Sequence, residues 1–185
     1  IEVLFIFLLM SILKVARMGH PVLRCRARPI EASKIHSPAL QQLIDDMIET
    51  MHEYHGAGLA GPQVHESIRL FVALLEDEPD AEGDATVIIN PEIVSTGSTT
   101  VEGWEGCLSI PEIRGMVPRQ IAITVRGLDR NGQPMELHLK DFSSRVVQHE
   151  TDHLDGILFF DRMDSLKTLT YMEEFTKYWA KSEDA

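Results

Sequence analysis

The sequence predicts an α+β domain of small mixed or antiparallel β-sheets, with one helix near the N-terminus, a second helix carrying H-E-x-x-H, and a third near the C-terminus. Three observations predict it. From Ser37 onward, Leu40, Leu43, Ile44, Met47, Ile48 and Met51 recur at i, i+3, i+4 and i+7, the spacing of one buried helical face. Residues 120–140 alternate apolar and polar on either side of Asn131-Gly132, the signature of a β-hairpin. Residues 68–75 (IRLFVALL) form a short β-rich apolar run.

The elements follow in order. Ser37 fits an N-cap, Pro38 the first helical position and Gly56 the left-handed residue that closes the first helix. Residues 55–63 (HGAGLAGPQ) then contain G-x-G-x-x-G, the spacing that cradles a dinucleotide pyrophosphate. That site needs a strand before the first glycine and a helix after the last, so that helical N–H groups face the phosphate. Here the order is helix, glycines, strand, and Pro62 disfavours a helix at the residue before it. A nucleotide site is excluded. Residues 86–90 read as another strand. Ile121, Ile123 and Val125 alternate with Ala122, Thr124 and Arg126, and Met135, Leu137 and Leu139 return along the hairpin. A helix should start at Asp141 as N-cap and run to about Gly156, and residues 165–180 should form a third, amphipathic helix before a charged tail.

A chain of 185 residues is long enough for one domain with its own apolar core. Seventeen Lys and Arg stand against 29 Asp and Glu, for a net charge of −12. Nucleic-acid affinity comes largely from cations displacing counterions, so this balance argues against direct, sequence-specific nucleic-acid binding. The opening IEVLFIFLLM carries Glu2, lacks a basic n-region and is too short to span a bilayer, so no membrane association is expected. Its first five residues resemble a protease-cleavage linker used in expression vectors (LEVLFQGP). Residues 1–9 are therefore expected to be a non-native extension. Two cysteines, Cys25 and Cys107, are too few for a disulfide scaffold and fit a reducing compartment, with Cys25 expected as a structural thiol.

The chemistry centres on Gln148-His149-Glu150-Thr151-Asp152-His153. Spacing of i, i+4 puts both imidazoles on one helical face, able to reach one cation, with Glu150 beside them as a proton acceptor. Bare H-E-x-x-H also arises by chance, and Asp152 and Asp155 read equally as a solvated side. A catalytic metal wants a third ligand. Downstream lie Asp155, Asp161, Asp164, Glu173 and Glu174 without a zinc-protease context; upstream, Glu105-Gly106-Cys107-Leu108-Ser109 offers a cysteine that, taken alone, is more often a small buried hydrophobe.

Three ordered segments, G-A-G-L-A-G-P-Q at 56–63, E-G-C-L-S at 105–109 and Q-H-E-T-D-H-L-D-G at 148–156, resemble the motifs of peptide deformylases. The likeness continues through I-P-E-I-R-G-M-V-P-R after the cysteine and spans residues 10–163, the expected catalytic domain, leaving 164–185 as a C-terminal helix and charged tail. The resemblance implies small sheets packed around a central metal-binding helix. It implies that Cys107, His149 and His153 hold one divalent cation with an open position. Fe(II) is expected first and Zn(II) second, with Ni(II) or Co(II) found in some preparations; ligand softness does not choose among them. It implies that Glu150 takes a proton from water attacking the formyl carbon of an N-formylmethionyl peptide, and that the Gln63 side-chain amide and the Leu108 backbone N–H bind the oxyanion. Formate is released. By the same resemblance, backbone groups of Ala57, Gly58 and Gly106 hold the peptide, and Phe142 and Val146 line the methionine pocket, core packing being the alternative for Val146.

The implied setting is N-terminal methionine processing of nascent chains in the cytoplasm, or in an organelle if the native N-terminus is truncated. Some deformylases dock on the ribosome through a basic C-terminal helix. Lys167, Lys177 and Lys181 against Glu173, Glu174, Glu183 and Asp184 favour at most a transient association here. Two departures stand out: Ala57 replaces a larger aliphatic residue and Gly61 an alanine, which implies a roomier substrate rim. Glu105 and Arg145 form either an ion pair behind the site or two surface charges. A general zinc peptidase with another third ligand, and a non-catalytic metal-binding relative, are the competing readings.

Overall fold

A computed structural model describes residues 11–75 and 85–180; the extension expected at 1–9 and the end of the charged tail, 181–185, lie outside them. The first helix, α1 (Pro38–Glu53), starts as its sequence dictates, with Ser37 Oγ accepting from the Leu40 N–H at 3.3 Å and Pro38 in the first turn. Leu40, Ile44, Met47 and Met51 are buried along one face. Its exit differs from expectation. His55, at φ 53°, is the left-handed residue. Its N–H donates to His52 O at 3.0 Å and that of Gly56 to Met51 O at 2.9 Å, so the glycine stands one place beyond the left-handed position.

Two antiparallel sheets follow. The five-stranded sheet has the order β1-β2-β3-β6-β7, built from β1 (Gly58–Ala60), β2 (Leu70–Ala73), β3 (Thr86–Thr96), β6 (Ala122–Leu128) and β7 (Pro134–Lys140). The three-stranded sheet has the order β4-β5-β8, from β4 (Thr100–Cys107), β5 (Ile110–Gln120) and β8 (Thr170–Tyr171). The β6–β7 hairpin has the predicted alternation from Ile123 onward, with Ile123, Val125 and Leu139 buried and Gly132 at φ 74° in the turn, whereas Ile121, expected on the same face, precedes β6 and is exposed. In that turn Asp129 Oδ1 accepts from the N–H groups of Asn131 (2.8 Å) and Gln133 (2.7 Å). β3 runs past its expected end at residue 90. Asn90 bends it at φ 53°, and the Asn90 amide exchanges two 2.8 Å hydrogen bonds with the Ile30 backbone, which holds the bend in place.

The helix carrying H-E-x-x-H is α2 (Asp141–Leu154), with Lys140 rather than Asp141 as N-cap, Asp155 as C-cap and Gly156 left-handed at φ 75°. It packs against β1, β2, β6 and β7 of one sheet and β5 of the other. The third helix is much shorter than its amphipathic pattern suggests: a 3₁₀ turn at Leu166–Thr168, then β8, then α3 (Met172–Tyr178). Thr170 and Tyr171 suit a strand, and β5 offers them an edge at Arg114 and Ile113. No helix among the described residues is long and apolar enough to cross a membrane.

Candidate active site

Strand alternation and helix periodicity meet between β4 and α2. On β4, Glu105 and Cys107 lie two apart, both buried, on one face. On α2, His149, Glu150 and His153 are buried in the third and fourth turns. Cys107, His149 and His153 each present one donor atom, all within 4.8 Å of one another, the one such group of three among the described residues. Cys107 Sγ lies 3.2 Å from His153 Nε2, and the Ser109 N–H donates to the same sulfur at 3.4 Å. Burial alone would raise the Cys107 pKa, but the charge of His153 and hydrogen bonds to both imidazoles outweigh it and hold the thiol well below its ordinary value. A ready thiolate between two imidazoles, all buried, suits a divalent transition metal.

The downstream acids do not join this cluster. Asp155 pairs with Arg69 at 2.7 Å, and Asp161 pairs with Arg24. Cys25 is exposed, against the structural role expected of it. The six other histidines, His20, His36, His52, His55, His65 and His138, are exposed.

Behind His149 runs a buried ionic network. His149 Nδ1 lies 2.8 Å from Glu105 Oε2, which leaves Nε2 for the cluster. Arg119 grips Glu105 with Nε (2.8 Å) and Nη2 (3.0 Å) and reaches Asp152 Oδ2 with Nη1 (2.6 Å). Arg145 Nη1 adds a bond to Glu105 at 2.9 Å, so this pair lies behind the site rather than on the surface, and Arg162 Nη2 donates to Asp152 at 2.7 Å. Burial would raise Glu105, but hydrogen bonds from His149 and Arg119 prevail and hold it at about 2. It is a fixed anion that orients an imidazole. Asp152 is 6% exposed and belongs to this network rather than to a solvated side. Arg119 was not foreseen as part of the site. Its signal was faint: it keeps the two-residue phase of buried Gly115 and Val117 on β5.

Glu150 differs. It is 4% exposed, its Oε2 has no hydrogen-bond partner among the described residues, and burial raises its pKa to about 7. Gly58 gives it room, because a Cβ there would lie 2.7 Å from Glu150 Cδ. Gln63 is buried, 1% exposed. Its Oε1 accepts from the Ala60 N–H at 2.8 Å, which turns Nε2 toward Cys107 Sγ (3.5 Å) and Ser109 Oγ (3.3 Å). Leu108 sits in the two-residue connection between β4 and β5. Gly106 lies against Arg114, whose guanidinium occupies the space a Cβ would need. β1 and β4 are each the edge of a sheet. Val146 is buried in the cluster against which Ala57 packs, whereas Phe142 is 43% exposed.

The profile of the family described as polypeptide deformylase matches residues 12–169. The protein called "Peptide deformylase 2" from Nostoc sp. is 47% identical over 175 residues, covering 90% of this chain and 97% of that one. The Met-Ala-Ser-bound crystal structure of class I type b peptide deformylase from Acinetobacter baumannii is similar with a TM-score of 0.78 and 40% identity, covering 83% of this chain and 99% of that one. A peptide deformylase structure from Legionella pneumophila is similar at TM-score 0.76 and 36% identity, over 94% of this chain and 96% of that one.

Proposed function

The chain belongs to the polypeptide deformylase family, and from that premise we propose how its residues work. It is a hydrolase that removes the N-formyl group from N-formylmethionine of nascent polypeptides and releases formate. We assign Cys107, His149 and His153 as ligands of one divalent cation, Fe(II) in the cell and Zn(II), Ni(II) or Co(II) in a preparation. α2 is then the central metal-binding helix. The buried Cys107 sulfur and the orientation of His149, whose Nδ1 is held by Glu105 so that Nε2 faces the cluster, support this. When bound, the cation supplies Lewis acidity, lowering the pKa of water and polarising the formyl oxygen.

Glu150 moves the proton. With a pKa near 7, its bare Oε2 can take a proton from the attacking water and return it to the leaving amine at neutral pH. Gln63 Nε2 and the Leu108 N–H donate to the oxyanion, and the fixed orientation of the Gln63 amide supports that role. The peptide extends between the edge strands β1 and β4, held by backbone groups of Ala57, Gly58 and Gly106. Val146 and Phe142 line the methionine pocket, with the buried Val146 at its inner end and the exposed Phe142 at its rim. We take residues 10–163 as the catalytic domain; the chain after it adds β8 to the sheet of β4 and β5 before α3, so it is joined to the fold and is not an appended helix. The enzyme acts in the cytoplasm, in at most transient association with the ribosome.

One observation carries the reading: the Cys107 sulfur and two imidazoles converge, their donor atoms within 4.8 Å of one another, next to the buried Glu150 carboxylate. Formate release from formyl-Met-Ala-Ser by metal-loaded protein tests it. A folded, loaded sample that releases none would remove the assignment.

A further inference from the structure

Gln63 and Leu108 come from separate segments, the 3₁₀ turn Gly61–Val64 and the β4–β5 connection. Direct links between the segments run from Gln63 Nε2 to Cys107 Sγ and Ser109 Oγ. That nitrogen is the one that must turn to substrate, so it cannot also hold the two segments in register during the reaction. Something else must.

Residues 16–18, which carry no helix or strand, lie across both segments. The Ala16 N–H donates to Gln63 O at 2.7 Å, and the Met18 N–H donates to Ser109 O at 2.8 Å. Between them Arg17 Nη1 donates to Leu108 O at 3.4 Å. Three consecutive residues thus hold three carbonyls that the substrate does not need. Val15 and Ala16 are buried, 5% and 2% exposed, and fix the stretch to the interior.

We propose that residues 16–18 form a strap whose Ala16 and Met18 N–H groups set the separation of the two oxyanion donors. This rests on the reading of Gln63 and Leu108 given above. The strap residues are positioning residues: they touch the backbones of the donors, not the reacting atoms. Their effect belongs to the transition state, where donor placement matters, rather than to binding of the ground-state peptide.

Replacing the amide at Ala16 or Met18 by an ester, through the corresponding α-hydroxy acid, deletes one N–H and leaves the side chain in place; at Met18 it also weakens the Arg17 carbonyl that accepts from the His20 N–H, so the Ala16 ester is the cleaner probe. Each ester should lower kcat for formyl-Met-Ala-Ser about tenfold at equal metal content, with KM held within about twofold, since even complete loss of such a donor costs about a hundredfold or more. Amide exchange at Ser109, whose N–H donates to Cys107 Sγ and whose carbonyl accepts from Met18, should quicken about fivefold in the Met18 ester, as expected for one lost hydrogen bond. An ester at Gly97, whose N–H donates to Ala122 O at 2.7 Å away from these segments, controls for general destabilisation and should leave kcat unchanged. Unchanged kcat in both strap esters, or an equal fall in the Gly97 ester, overturns the strap. If Gln63→Ala keeps full kcat, the donor reading fails first and the strap with it.

Discussion

Replacing Arg119 by Met removes the hub of the network behind His149. Three charge-assisted hydrogen bonds disappear, two to Glu105 and one to Asp152, at 2.6 to 3.0 Å. Both carboxylates stay buried, at 6% exposure each. Breaking a buried pair from one side costs about 3–5 kcal/mol, because an uncompensated charge is left behind. Glu105 keeps Arg145 and His149, and Asp152 keeps Arg162, so the lower end applies, about 3 kcal/mol. For a chain of this size that lowers Tm by about 6–12 °C. Thermal unfolding at equal metal content measures it. Arg126→Met is the control, since the Arg126–Glu136 pair is exposed (62% and 39%) and solvent-screened, so its loss should leave Tm nearly unchanged. If Arg119→Met costs no more than Arg126→Met, water already screens the network and the argument from burial is wrong.

Three further outcomes are expected. Glu150→Ala, at equal metal content, should lower the rate of formate release about a hundredfold or more, and equal rates would leave the protein a metal binder without its proposed base. Gly58→Ala should lower kcat by about 10- to 100-fold while metal content stays stoichiometric, because the new Cβ would lie 2.7 Å from Glu150 Cδ and push the carboxylate aside; an unchanged kcat would show that its placement does not matter. Asp161→Asn should destabilise the protein near neutral pH, with the difference from the parent fading as pH falls below about 4. Burial alone would raise the Asp161 pKa, but hydrogen bonds from Arg24 and the Leu158 N–H depress it below the model-peptide value of 3.8. Its stabilisation is therefore complete above that unfolded value and is lost as pH falls through the folded one. Urea titrations at several pH values would show it, and a pH-independent difference would contradict it.

Much of the scaffold was legible because local chemistry and tertiary structure agree. Ser37-Pro38 opens α1, and Asn131-Gly132 turns the β6–β7 hairpin. The β4–β5 hairpin was not read as two strands, since β4 holds two glycines and two glutamates in eight residues and is stabilised by pairing with β5 instead of by propensity. The third helix was over-read for the complementary reason: helical periodicity over 165–180 lost to the edge β5 offers at Ile113 and Arg114. At the site, the i, i+4 histidines were visible in one helix, whereas Cys107 was tied to them through the resemblance of three motifs. Asp152 looked like a solvated acid because nothing local announces a partner 33 residues earlier.

X-ray absorption at the metal edge of stoichiometrically zinc-loaded protein would examine the ligand set itself. One sulfur at about 2.3 Å and two imidazole nitrogens at about 2.0–2.1 Å are expected, with the sulfur lost in Cys107→Ser. A spectrum without sulfur in the parent protein, or one unaltered by Cys107→Ser, would contradict the assignment of Cys107, His149 and His153.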